Sequence, residues 1–277
     1  MSHVLKATQI LSTLEDAHGE KRTKEDLEEF LEAFPARLPI GRDHNLGDVT
    51  DAYFANFQIL PTTEPPGEWV LVGDLHTDKE PLREEPGTGF SISFTKRTRA
   101  NTENPEGCVY FPFPHYKDEE LGDHLLVIDY PIAIGKWHKK DISPEAIGLI
   151  STFLVFIIGP AWNDFWSEKI RPFIASVRDR LSHEKYSNLA FDYAQLVQLA
   201  DGSQIQVLFL TDHNEWKACL APEKIKAGMD VALHFIETSE IATIKPMLQL
   251  RMAYDITLAS YSPYLVQYQD GEHVTMW

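Results

Sequence analysis

The sequence predicts an α+β protein: mixed or antiparallel sheets with hairpins, packed on a hydrophobic helical region around residues 144–181. Three observations predict it. Two Asp-Gly pairs, Asp201-Gly202 and Asp270-Gly271, sit within apolar-rich runs at 191–210 and 264–277, the pattern of β-hairpins closed by tight turns. Phe90, Ile92 and Phe94 alternate with serines, as in a half-buried strand. Finally, the segments 23–34 and 144–181 carry helix start signals followed by apolar residues at helical spacing.

Taken in order, the first helix starts at Thr23. Thr23 and Asp26 have capping-box spacing, with Asp in place of the usual Glu. Leu27, Phe30, Leu31 and Phe34 then form one apolar stripe, and Pro35 ends the helix. Glu25, Asp26, Glu28 and Glu29 lie near its N-terminus, where the helix dipole favours acids. Residues 61–68 are a loop by their prolines and glycine, and Trp69–Val72 is a short strand. Residues 77–89 are polar and punctuated by Pro and Gly. The densest basic cluster, Lys96-Arg97-Thr98-Arg99, leads into a loop around Asn104–Gly107. Val109–Phe113 and Leu125–Ile134 read as further strands.

Ser143 and Pro144 then make a helix start, followed by a run without charge from Ala146 to Asn163. Gly159-Pro160 breaks or kinks it. A second helix runs to Leu181, with Trp166, Ile170, Phe173, Ile174, Val177 and Leu181 on one face and Pro172 inside it. Pro222–Phe235 reads as another helix. Trp137, Trp162, Trp166 and Trp216 read as core aromatics. Two regions are expected: 1–142, a helix with strands, and 143–277, a helical core element with hairpins and a helix. One continuous domain is the alternative.

Composition bounds function. The 277 residues are 43% hydrophobic and 11% aromatic, which excludes a mostly disordered chain. The 15 Gly and 17 Pro show no period, which excludes a collagen-like chain. The two cysteines, Cys108 and Cys219, are far apart and stand in no CxxC or Cys/His cluster. Structural zinc of ordinary spacing is therefore not expected; free thiols in a reducing compartment are, with one long-range disulfide as the alternative. No apolar stretch follows Met1–Ala7, so the chain reads as cytoplasmic. The net charge is −17, with 27 acids against 15 bases in residues 1–150 and 15 against 10 in residues 151–277. A field of this sign repels nucleic acid and anionic lipid at long range and suits a basic partner.

The residues with most chemistry are Asp74 and His76, at the end of the strand that starts at Trp69. An Asp and a His two apart on a strand share a face, and a carboxylate oxygen with an imidazole nitrogen suits Zn, Mn or Fe. Gly73-Asp74-Leu75-His76 resembles the opening metal motif of the calcineurin-like metallophosphoesterases. Gly47-Asp48-Val49-Thr50-Asp51 resembles their second motif. The resemblance covers nine residues, in reversed order, and no Gly-Asn-His or Gly-His-x-His follows. It implies metal-assisted hydrolysis, with Asp48 and Asp51 completing the ligand set if the fold brings them beside Asp74. His115, His124 and His138, with Asp123 or Asp129, form a second grouping suited to ligand or general-base work. There is no Gly-x-Ser-x-Gly elbow and no phosphate-binding loop; Gly87-Thr88-Gly89 is a short Gly-x-Gly only.

Three function classes follow, in this order. The first is an acidic binding protein, such as an antidote (immunity-type) protein or a complex subunit, engaging a basic protein partner without a cofactor. The second is a metal-dependent hydrolase with a divalent ion at Asp74, His76, Asp48 and Asp51. The third is a membrane-associated effector acting through residues 146–163 as an apolar helix, a length near the lower limit for a span.

Overall fold

The first helix forms where its spacing places it. In a computed structural model of the chain, α1 spans Lys24–Ala33 and Thr23 closes a complete capping box. The Thr23 hydroxyl accepts from the Asp26 N–H at 3.2 Å, and the Asp26 carboxylate accepts from the Thr23 N–H at 2.8 Å. The described residues are all except 1–2, 17–18, 20, 35, 42–48, 78–92, 113–114, 140–145, 157–160, 183–189, 200, 213–214 and 277. The chain divides into Met1–Phe94 with Gln269–Glu272, and Thr95–Tyr268 with His273–Trp277.

The N-terminal unit is a four-stranded sheet with α1 against one face. β1 (His3–Ser12), β2 (Leu38–Gly41), β3 (Val49–Pro61) and β4 (Trp69–Thr77) pair in the order β1-β4-β3-β2, antiparallel throughout. Leu27 and Phe30 of α1 pack with Ile10, Leu11, Ile40, Phe54 and Leu71. Phe54 and Leu71 are fully buried, each contributing about 1.5–3 kcal/mol by removal from water. Along β4, Trp69, Leu71 and Leu75 belong to this core, so Val70, Val72, Asp74 and His76 alternate onto the other face.

The C-terminal unit is built on a nine-stranded mixed sheet. Its strands are β5 (Ser93–Ala100), β6 (Gly107–Pro112), β7 (Ile132–Lys139), β8 (Ala146–Phe156), β9 (Ala190–Gln198), β10 (Gln204–Leu210), β11 (Met247–Asp255), β12 (Ser260–Tyr268) and β13 (His273–Thr275). The order is β13-β12-β11-β10-β9-β8-β6-β7-β5. Among the described pairings, three neighbouring pairs are parallel: β6 with β7, β8 with β9, and β10 with β11. A parallel pair needs a crossover, and helices supply each one here. A 3₁₀ turn (His115–Lys117) and α2 (Glu119–Leu126) lie between β6 and β7. α3 (Ala161–Phe165), a π-turn (Trp166–Ile170) and α4 (Arg171–Leu181) lie between β8 and β9. α5 (Trp216–Cys219), α6 (Pro222–Thr238) and α7 (Glu240–Ile244) lie between β10 and β11.

One hydrophobic cluster joins these helices to the sheet. It holds Leu121 and Leu125 of α2, Phe173, Ile174, Val177 and Leu181 of α4, and Ile225, Met229 and Ala232 of α6. From the sheet come Phe191, Tyr193, Val207, Phe209, Leu250 and Met252. Trp162, Trp166 and Trp216 are buried in it, as their reading as core aromatics expects. Both Asp-Gly hairpins form, as β9–β10 and β12–β13, with Gly202 at φ +86 and Gly271 at φ +84, a backbone conformation that favours glycine. Cys108 and Cys219 are free thiols, both buried.

Several expectations are corrected. The α+β class holds, but residues 146–156 are a strand, not the first part of a helical region at 144–181. β8 pairs antiparallel with β6 and parallel with β9, so it is bordered on both sides. Its β-branched and aromatic residues (Ile147, Ile150, Thr152, Phe153, Val155, Phe156) favour a strand. Residues 146–156, uncharged and with only the adjacent Ser151 and Thr152 polar, lack the polar face that separates helix from strand by period. The expected apolar spanning helix at 146–163 therefore does not form as such, and no helix among the described residues is long and apolar enough to cross a membrane. The pairing of β6 with β8 also joins residues on both sides of position 142, and the compact units divide after Phe94. Leu125–Ile134 is not one strand: α2 occupies its start and β7 its end. Asp118 caps α2 by accepting from the Leu121 N–H, Leu121 and Leu125 share its buried face, and Pro131 separates the two elements.

Candidate functional site

Asp74 sits on β4 between two strands that are irregular at its level. On one side, the β1 register shifts between Leu5 and Thr8, with Ala7 at φ 50. On the other, the β3 register shifts between Ala55 and Gln58, with Asn56 at φ 55. Each is a bulge with a left-handed residue that is not glycine, a conformation that needs local support. Asp74 supplies it on both sides. Its Oδ1 accepts from the Ala7 N–H at 3.2 Å, and its Oδ2 accepts from Lys6 Nζ at 2.7 Å and from Asn56 Nδ2 at 2.9 Å.

The residue is 9% exposed, while the Lys6 side chain is 74% exposed. The Lys6 hydrogen bond, then the one from Asn56, hold the Asp74 carboxyl down to about 2, against a smaller opposing effect of burial. At neutral pH Asp74 is therefore a fixed anion and an acceptor, not a proton donor.

His76 lies two residues on, on the same face. It stands opposite Tyr53 in the register, and the two rings stack with centroids 4.6 Å apart and 6° between planes. The Arg37 guanidinium carbon lies 4.8 Å from the Tyr53 ring centroid, so Arg37, Tyr53 and His76 form a row of π and cation–π contacts. The Nε2 of His76 is buried and has no hydrogen-bond partner among the described residues.

Of the four residues expected to hold a metal, Asp74 and His76 thus share a face. Asp51 lies on β3, two residues before Tyr53, with its side chain outside the described set, and Asp48 lies outside the described residues. Among the described residues no group of three or more His, Cys, Asp or Glu is gathered for a metal. A divalent ion at Asp74 would have to displace the Lys6 ammonium, whose exposed side chain can swing into solvent.

The second histidine grouping forms no metal-holding cluster among the described residues. His124 Nε2 lies 3.2 Å from the Arg180 carbonyl, Asp123 pairs with Arg99, and His115 is in the 3₁₀ turn. The side chain of His138 lies outside the described set, as does Gly87-Thr88-Gly89.

The sequence does not point to Lys6, Ala7, Asn56 or Tyr53 as partners of the Asp74 region, and it carries one signal of the bulge on β3. Phe54 and Phe57 are three apart in a strand that otherwise alternates, and a break in period two marks a bulge. Comparison of the chain with protein families, with curated proteins and with solved structures finds no match to any of them.

Proposed function

We propose that this chain is a binding protein that engages a basic protein partner through its N-terminal unit. The observation that carries the reading is the partition of charge. Residues 1–94 with 269–272 hold 20 acids against 8 bases, and the other unit holds 22 against 17. The outer face of α1 concentrates it: Glu25, Glu28, Glu29 and Glu32 are all exposed, at the spacing of one helical stripe. Lys24 pairs with Glu28 at 3.0 Å, an exposed pair that leaves the stripe negative. Such a field speeds the encounter with a cationic surface and selects against anionic ones.

The test compares two variants of equal net charge in the full-length protein. One is E25Q/E28Q/E29Q/E32Q on α1; the other is D179N/E223Q/E237Q/E240Q on exposed positions of α4, α6 and α7. Binding of a lysine-rich peptide is measured against salt. The expected result is weakening by about tenfold and a shallower salt dependence for the α1 variant alone. Equal weakening in both variants sinks the assignment to this face.

A second reading rests on His76 Nε2, which is buried beside Asp74 without a partner among the described residues. In it the chain is a metal-dependent hydrolase with Asp74 and His76 as ligands. A bound metal would polarise a substrate oxygen and lower the pKa of a water. Elemental analysis of the native protein decides it: stoichiometric Zn, Mn or Fe lost in D74A/H76A supports the reading, and metal-free protein from metal-replete cells ends it.

A further inference from the structure

Two groups of residues that the reading above leaves unused meet in the C-terminal unit. Thr98 and Arg99 belong to the basic cluster on β5, and His115 to the scattered histidines. Together with Lys136 of β7 they line a cavity of about 200 Å³, and Phe111 and Tyr116 give it aromatic walls. The adjacency of β5 and β7 is what brings them together. Thr98 Oγ1 donates to the Ile134 carbonyl at 3.2 Å, and the Asn101 N–H donates to the Ile132 carbonyl at 3.0 Å.

The cationic groups are placed by identifiable contacts. Arg99 Nη1 pairs with Asp123 at 2.9 Å, and both side chains are largely exposed. Arg99 reaches over Gly122, where a Cβ would come within 2.5 Å of Arg99 Nη2, so the glycine makes room for the guanidinium. Lys136 Nζ lies 4.9 Å from the Tyr116 ring centroid. Burial pushes the His115 imidazole below its ordinary pKa, with Asp118 opposing, so at neutral pH it offers a hydrogen bond rather than a charge.

Two carboxylates also line the cavity. Asp118 is committed to capping α2 through the Leu121 N–H at 3.1 Å, and Glu119 is exposed in the first turn, where water screens it. Arg99 and Lys136 are therefore the charges best placed to meet a ligand, in a chain whose net charge is −17.

We infer that this cavity binds a small anion: a carboxylate or phosphate head carried on a single planar ring. The head meets Arg99 and Lys136, and the ring lies against Tyr116 and Phe111. The volume is below the roughly 300–1,000 Å³ of drug-sized sites, which limits the body to about one ring. The site is independent of the acidic face of α1, and it can fail while that reading stands.

The test is calorimetric titration of the full-length protein with benzoate, phenyl phosphate, inorganic phosphate and benzyl alcohol. Benzoate and phenyl phosphate should bind saturably and compete, and the tighter of the two identifies the head group. Inorganic phosphate and benzyl alcohol should each bind at least about tenfold more weakly, because each lacks one half of the recognition. R99Q/K136Q should abolish binding while its melting curve stays intact. D123N, which releases Arg99 from its surface ion pair, should tighten binding a few-fold. No saturable binding of either aromatic anion up to about 10 mM overturns the inference, as does binding of benzyl alcohol equal to that of benzoate. Undiminished binding in R99Q/K136Q, or no gain in D123N, also counts against the assigned residues.

Discussion

Asp74 joins two bulges through one carboxylate, and this gives it a pH signature. Its folded pKa is about 2 and its ordinary value is 3.8. A carboxyl with a depressed folded pKa favours the folded state above its unfolded pKa, and that contribution is lost as pH falls through the folded value. The urea midpoint of the native protein should therefore fall between pH of about 4 and about 2 more steeply than that of D74N. At neutral pH D74N should have the lower midpoint, because its amide cannot accept all three donors and adds hydrogens facing Lys6 and Asn56. Parallel pH profiles for the two proteins would remove Asp74 from the support of the bulges. The sequence made Asp74 legible as a polar residue at a strand end, with a face shared with His76. Its partners were not legible, because Lys6 and Asn56 lie 68 and 18 residues away and meet it only through strand register. One bulge left a trace in the spacing of Phe54 and Phe57; Ala7 left none.

Local signals decided the elements that carry their own start and stop. α1 and the two Asp-Gly hairpins are of this kind, since a cap or a tight turn is written in adjacent residues. Thr23→Ala should cost about 1 kcal/mol, with Thr23→Ser close to neutral, read from chemical denaturation. β8 is the opposite case. Its only polar side chains, Ser151 and Thr152, are adjacent and set no period, and its identity as a strand comes from β6 and β9 on either side. The glycine that starts β6 shows how tightly the helical layer meets this sheet. A Cβ on Gly107 would stand 2.3 Å from Cε2 of the buried Phe173 ring of α4. Gly107→Ala should therefore destabilise by about 1–3 kcal/mol through overpacking. Gly107→Ala combined with Phe173→Leu should recover part of the loss, while additive losses would mean the ring is not the obstacle.

On the scale of the whole molecule, the two units differ in how much charge they must hold together. The N-terminal unit carries a net −12 and the larger C-terminal unit a net −5. Like charges on one small body repel, and self-repulsion lowers the stability of the compact state. Salt screens it: the Debye length falls from about 30 Å at 0.01 M to about 10 Å at 0.1 M, shorter than the span of a small domain. The Asp74–Lys6 ion pair in the N-terminal sheet works against this trend only weakly, since salt screens one contact there but many repulsions around it. Raising salt should therefore protect the N-terminal unit more than the C-terminal one. Amide hydrogen exchange resolves the units separately and reads opening free energies strand by strand. Between about 0.01 M and about 0.5 M sodium chloride, protection of the β3 and β4 amides should rise more than that of β9, β10 and β11 amides. A uniform rise would mean that the charge acts on the molecule as one body, and the acidic face of α1 would then have no special place in its interactions.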